Sequence, residues 1–210
     1  MSVLIRRIVG AVVAILGIVV LATVLPVLSH IGSGGRATFT TAVDTDGIVS
    51  LDPQVLNRVD APVEITARAG GNADVFIGAA APSAVEHLIG QAQTLRVTAV
   101  TVPGWELLTA PQGKGQTAEP SRAPIWDQQA TGKGSASLTI EQADAPQRVL
   151  VTTPRSGKLE SLEVTMTNSG WGTSAIWLTI LGVVLLLGGI LLAIWGVWSR
   201  RRPTTNPTEG

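Results

Sequence analysis

IWLTILGVVLLLGGILLAIWGVW, residues 176–198, holds 23 positions without one Asp, Glu, Lys, Arg or His. At about 1.5 Å of rise per residue, roughly 20 apolar residues carry a helix across the hydrocarbon core of a bilayer. The stretch reads as a membrane span. A second run, IVGAVVAILGIVVLATVLPVL, fills residues 8–28 with 21 positions of the same kind. Two spans near the ends of a 210-residue chain leave residues 32–173 between them, enough for one hydrophobic core.

Charge orients the ends. The formal net charge is zero, but Arg6 and Arg7 precede the first span and Arg200, Arg201 and Arg202 follow the second. Residues 32–173 carry ten Lys or Arg against fourteen Asp or Glu. Arginines beside a span are retained on the cytoplasmic side. The expected order is a cytoplasmic N-terminus (1–7), a transmembrane helix (8–28), a linker (29–36) and an extracytoplasmic β-domain (37–168). A second linker (169–175), a second transmembrane helix (176–198) and a cytoplasmic tail (199–210) complete it. The alternative is a cleaved signal peptide at the start. Against it, the first apolar run exceeds a signal core of about 7–15 residues, and LPVLSHIGSGG has no A-x-A site.

The same features bound the partners. The lipid bilayer and other membrane or envelope proteins are expected, in the plasma membrane; an acidic outer segment excludes nucleic acid. Without cysteine there are no disulfides or thiolate metal sites, and no cofactor is expected. The absence of ionisable side chains from both spans excludes a proton or ion relay within them. Trp171 and Trp177 flank the outer end of the second span and Trp195 and Trp198 the inner end, where indoles anchor at the interface.

Small residues recur along both spans. Gly10, Ala14 and Gly17 share one face of the first, and Gly189, Ala193 and Gly196 share one face of the second. Counted from the cytoplasmic ends, Gly10 matches Gly196 in depth and Gly17 matches Gly189. Small residues allow close backbone approach, so the stripes are expected to pack at that register.

Between the spans, apolar and polar residues alternate in short runs: Val63, Ile65 and Ala67; Leu95, Val97 and Ala99; Ala136, Leu138 and Ile140; Leu162, Val164 and Met166. With ATFTTAV (37–43), VFIGA (75–79), WELLT (105–109) and RVLVTT (148–153), about eight strands result. Short strands with Gly and Pro turns point to an antiparallel β-sandwich. VFIGA is continuously apolar, as in a strand covered on both faces. Its cover is expected from the short helix after Pro82, whose Val85, Leu88 and Ile89 form an apolar stripe. Ser83 and Glu86 have capping-box spacing, Gly90 marks the stop, and Glu86 and His87 fall on the solvated side.

The catalytic patterns are weak. Two histidines, one at the membrane edge (His30), cannot assemble a multi-histidine metal site. G-x-S-x-G and H-E-x-x-H are absent, and Lys114 lies in no P-loop. Asp44, Asp46 and Asp52 only partly resemble a calcium loop and read as a turn. Trp105 and Trp126 are candidates for stacking on a ligand or for the core.

Several of these segments together resemble a family of two-pass actinobacterial membrane proteins with an extracytoplasmic β-domain. They are Val75–Ala80, Val85–Ile89, Trp126, Ala130–Gly134, Leu138–Ile140 and Arg148–Val151, within roughly residues 63–200. Leu88 stands where that family commonly has an aromatic, and Pro154–Gly157 replaces an N-D-G-like turn. The resemblance implies topology and lineage, with no activity attached.

The expected function is that of a non-enzymatic accessory subunit or recognition module. One alternative is an enzyme using carboxylates such as Asp74 and Glu86 on cell-wall or lipid substrate. Another is a signalling protein read through tail threonines Thr204, Thr205 and Thr208.

Overall fold

In a computed structural model of the chain, the described residues are 3–198 apart from 103, 116–118, 142–145 and 155–156; the side chains of 3, 44 and 195–198 are also excluded. Two compact units result, one from Met1–Gly35 with Ser169–Gly210 and one from Arg36–Asn168. The helices are α1 (Val3–Ile31), α2 (Pro53–Leu56), α3 (Pro82–Ile89) and α4 (Ser169–Trp198).

The first unit is the pair α1 and α4, both long and apolar enough to cross a membrane. Ile15 and Val19 on α1, and Val184 and Leu191 on α4, are exposed. A helix apolar all round suits a lipid surrounding. Hydroxyls on both helices bond the helix's own carbonyls: Thr23 Oγ1 donates to Val19 and Val20, and Thr179 Oγ1 to Ala175.

The small-residue stripes face one another in a different register from the depth match. A Cβ built on Gly10 would stand 2.8 Å from both Ala193 N and Gly189 O, and one on Gly17 would stand 2.5 Å from Leu186 N and 2.8 Å from Gly182 O. A Cβ on Gly189 would collide with Ala14 N. The contacts therefore centre on Gly10 with Gly189 and Gly17 with Gly182. Relative to the expected pairs, α4 is shifted by roughly one to two helical turns. Backbones come closest where both helices present glycine, and Gly182, outside the expected stripe, supplies the second such place. The side chain position of Gly196 lies outside the described residues.

The linkers also differ from expectation. α1 runs to Ile31 and α4 begins at Ser169, so residues 169–175 are helical. The reason is packing: a Cβ on Gly172 would stand 2.7 Å from Ser33 C and 3.0 Å from Gly35 N, so the first turns of α4 lie against the turn that ends α1. Tertiary contact of this kind, more than propensity, extends a helix.

The second unit has ten strands: β1 (Arg36–Thr45), β2 (Ile48–Leu51), β3 (Val63–Ala69), β4 (Asp74–Ala80), β5 (Thr94–Thr101), β6 (Glu106–Gln112), β7 (Gln128–Lys133), β8 (Ser135–Ile140), β9 (Arg148–Thr152) and β10 (Leu159–Thr167). Where an antiparallel sandwich of about eight strands was expected, pairing runs through one sheet in the order β7-β4-β9-β2-β5-β6-β1-β10-β3-β8. It is mixed, because β2 pairs β5 in parallel and β1 meets β6 in parallel at Thr40 and Glu106. The terminal strands β7 and β8 are consecutive, joined at Gly134 (φ +72°), so the sheet nearly closes into a barrel. Alternation sets its inner face: Val63, Ile65 and Ala67 are buried while Glu64 and Arg68 are exposed.

Two strands escape the hydrophobic pattern. IVSL (β2) is only four residues long, all buried, directly after an Asp-Gly turn. QQATGK (β7) is polar, and hydrogen bonding to β4, with Ile77 opposite Ala130, makes it a strand.

Candidate functional site

β4 is central, between β7 and β9, and Val75–Ala80 are all buried. One face points into the barrel. The other is covered as expected by α3, whose Val85 packs with Ile48, Ala80, Ala92 and Leu150, with Ile89, Ile125 and Trp126 at the margin. Trp126 sits over Gly78: a Cβ there would lie 2.5 Å from Trp126 Cε3. The indole donates from Nε1 to Pro120 O at 3.0 Å and meets Phe76 edge-on at 5.4 Å. Trp126 is thus a cover for β4, consistent with its core reading.

α3 begins differently from the expected capping box. Its N-cap is Ala81, Pro82 occupies the first turn, and no side chain caps it. Proline is pre-set for that position and lacks an N–H to satisfy. The Ala81 carbonyl accepts from Ala84 N and Val85 N, and Gly90 (φ +49°) ends the helix. Glu86 therefore caps nothing. Its carboxylate lies 3.7 Å from Arg148 Nη1.

That contact leads to a charge cluster that no local motif announces. Asp52, at the end of β2, is buried, and both its oxygens accept from Arg96 Nε at 2.8 Å. Arg148 Nη2 approaches Asp52 Oδ1 at 3.3 Å, and both side chains are only 9% exposed. Arg96 also donates to Gln112 Oε1 at 3.3 Å. The hydrogen bond to Asp52 raises Arg96 above the ordinary guanidinium range; burial opposes it, and the charges of Asp52 and Glu86 add to it. A raised arginine favours folding at every pH where it is protonated, so this group adds no pH dependence near neutrality. Asp52, read in sequence as part of a turn, is the counter-ion of two arginines distant in the chain.

Glu86 is 70% exposed on its side chain, and His87 is exposed. Exposed ion pairs contribute about 0–1 kcal/mol. Glu86→Ala and His87→Ala should therefore each change the stability of the full chain by less than about 1 kcal/mol, read by denaturant unfolding. A loss of function in His87→Ala with unchanged folding would bring the pair back as an active site.

An open cleft of about 680 Å³ lies over β4 and β7. Asp74 and Lys133, opposite each other on these strands, line it with Gln129 and Thr131. The far wall is Glu119, Ser121 and Arg122, with Arg122 Nε 2.8 Å from Glu119 Oε2. A second cleft, lined by Asp46, Gln93, Thr152 and Thr153, shares Glu119 and Pro154 with the first. Glu86 lines neither, so the two carboxylates singled out from sequence are not brought together; Asp74 shares its cleft with Glu119 instead.

The remaining candidates are placed as follows. Among the described residues, no group of three or more His, Cys, Asp or Glu is arranged to hold a metal. Trp105 stacks obliquely on Phe39 at 5.5 Å. Arg6 and Arg7 are exposed, Trp171 is half-buried and Trp177 is 67% exposed. Arg200, Arg201, Arg202 and the tail threonines lie outside the described residues, as do the side chains of Trp195 and Trp198.

No family model matches the chain, and no curated protein matches it. Among solved structures, similarity is found to a Bacillus licheniformis lipase in propeptide form, at 10% identity and a TM-score of 0.30, over 66% of this chain and 23% of that one. A 4-O-methyl-alpha-glucuronidase with specificity for decorated arabinogalactans matches at 11% identity and 0.21, over 64% and 14%. Dimeric latent PorU from Porphyromonas gingivalis matches at 12% and 0.17, over 63% and 10%. The chain thus spans under a quarter of each of these structures, and similarities at these TM-scores lend it neither family nor activity.

Proposed function

We propose that the chain is a two-pass plasma-membrane protein with both termini in the cytoplasm, presenting its β-domain outside as a non-enzymatic recognition or accessory module. The observation that carries this reading is the cleft over β4 and β7, where acidic and basic side chains alternate around hydroxyls and amides. Such a lining suits a polar, hydrogen-bonding partner, a peptide segment or a glycan of the envelope. Arginines outside both spans support the orientation. The resemblance to actinobacterial two-pass proteins agrees with it.

Two measurements test the proposal. A reporter active only in the cytoplasm, fused after Gly210, is expected to be active; silence overturns the orientation. Affinity capture from gently solubilised membranes is expected to recover a partner with the parent chain and lose it with Asp74→Lys and Lys133→Glu. Recovery of the parent only as a free monomer across several detergents overturns the module reading. Because Asp74 and Glu119 share one cleft, the enzyme reading keeps a specific expression: release of product from a wall or lipid substrate by the purified chain, abolished by Asp74→Asn.

A further inference from the structure

β7 ends the order of strands. Its six residues, Gln128–Lys133, pair with β4 and with no other described strand, because after Gly134 the chain turns into β8, which pairs with β3. Gly134 N donates to Ala73 O at 2.8 Å, which fixes the alternation along β7. Gly132, Ala130 and Gln128 turn their N–H and C=O groups to β4, and Lys133, Thr131 and Gln129 turn theirs to the open edge. The side chains of these last three are exposed.

An open edge invites another strand, and proteins blunt such edges with proline, bulges or charge. β7 contains no proline, keeps register with β4 over six consecutive pairs, and places its one charge, Lys133, at its last position. The strand also borders the cleft of about 680 Å³, where Gln129–Lys133 contribute five consecutive lining residues. A strand met only through the side chains of one face would contribute every second residue, so the cleft reaches the β7 backbone. β8, the other terminal strand, lines neither cleft.

We propose that the open edge of β7 receives an extended peptide segment of a partner protein by strand addition. The inference rests on the recognition-module reading and narrows its partner. Backbone donors and acceptors that recur at every second residue, about 6.6 Å apart, are matched in register by another extended backbone. Six residues of β7 span about 17 Å, which suits five or six residues of peptide. Main-chain bonds supply affinity in this mode and alternate side chains supply specificity. Those beside Gln129 and Thr131 are expected to carry hydroxyls or amides, since threonines and their polar neighbours pair well across strands.

The probe is a displayed library of random decapeptides, selected on the full chain in nanodiscs and counter-selected on empty nanodiscs. Enriched peptides are synthesised with a dye, and their Kd for the full chain is measured by anisotropy. N-methylation along the peptide is expected to weaken binding about tenfold at every second residue and to leave the intervening residues unaffected, the signature of a ladder. Thr131→Pro, which removes an edge N–H where proline is tolerated, is expected to weaken binding by a similar factor. Should that variant misfold, a photoreactive group at the centre of the peptide is expected to crosslink the parent chain within residues 128–133. Insensitivity to N-methylation at every position, or crosslinks confined to other strands, overturns strand addition at β7. A disulfide between two copies of the Thr131→Cys chain, which has no other cysteine, would give the edge to a second copy and overturn the peptide assignment. If no peptide is enriched while affinity capture still loses its partner with Asp74→Lys and Lys133→Glu, this inference fails and the module reading stands. If capture also returns only free monomer, both fail.

Discussion

Leucine at both Gly10 and Gly17 is expected to separate α1 from α4. Each glycine faces backbone atoms of α4, with a hypothetical Cβ already 2.5–2.8 Å from nitrogen or carbonyl oxygen. Backbone cannot rotate aside as a flexible side chain can. Overpacking of a tight site costs about 1–3 kcal/mol at each position, and in lipid such close packing is itself a main source of helix association. Cysteines at Ser33, in the turn that follows α1, and Thr173, in the first turns of α4 packed against it, would report the separation by loss of crosslinking with a short reagent. Gly188→Leu is the matched comparison, because nothing lies within 4 Å of its Cβ position. It should leave crosslinking unchanged although it adds a leucine side chain to the partner helix α4. Crosslinking of Gly10→Leu/Gly17→Leu at the parent rate would mean that the stripes face lipid or another subunit.

Asp52→Ala is expected to be the most damaging single change in the β-domain. It removes the shared counter-ion of Arg96 and Arg148 and leaves the latter, 9% exposed, with, among the described residues, a 3.7 Å ion-pair contact to exposed Glu86. Breaking a buried pair from one side costs about 3–5 kcal/mol, because the remaining charge is stranded away from water. Denaturant unfolding of the full chain, followed through its β-structure, would measure it. Replacing the whole cluster should behave differently: Asp52→Leu with Arg96→Met and Arg148→Met should recover most of the loss, since no buried charge then remains unpaired. A loss under about 1 kcal/mol for Asp52→Ala would show that water reaches the cluster and screens it.

Much of the architecture was legible because it is encoded locally. An uncharged run of 21 or 23 residues specifies a long apolar helix whatever surrounds it. Alternation along Val63–Ala69 states which face is buried, and the unbroken Val75–Ala80 run states that both faces are covered. Gly90 ended α3 where expected, and the glycines of α1 were recognisable as a packing face. The site was less legible. Glu86 followed by spacing a capping rule that Pro82 had already made unnecessary, and its actual neighbour, Arg148, lies 62 positions away.

The sequence by itself determined the two long apolar helices, the short α3 and eight of the ten described strands, and which sides of them avoid water, because burial pattern and span length depend on neighbouring residues alone. Only the tertiary structure decided the order of ten strands, the parallel junctions, the inclusion of polar β7, and the meeting of Asp52, Arg96 and Arg148. It also decided the register of α1 on α4, through a glycine pair that depth alone did not select. The physical reason is the same in each case. Alternation tells a strand which face to bury but not which strand to lie beside; that choice is settled when the sheet curls toward closure and each backbone N–H must find a carbonyl at long range.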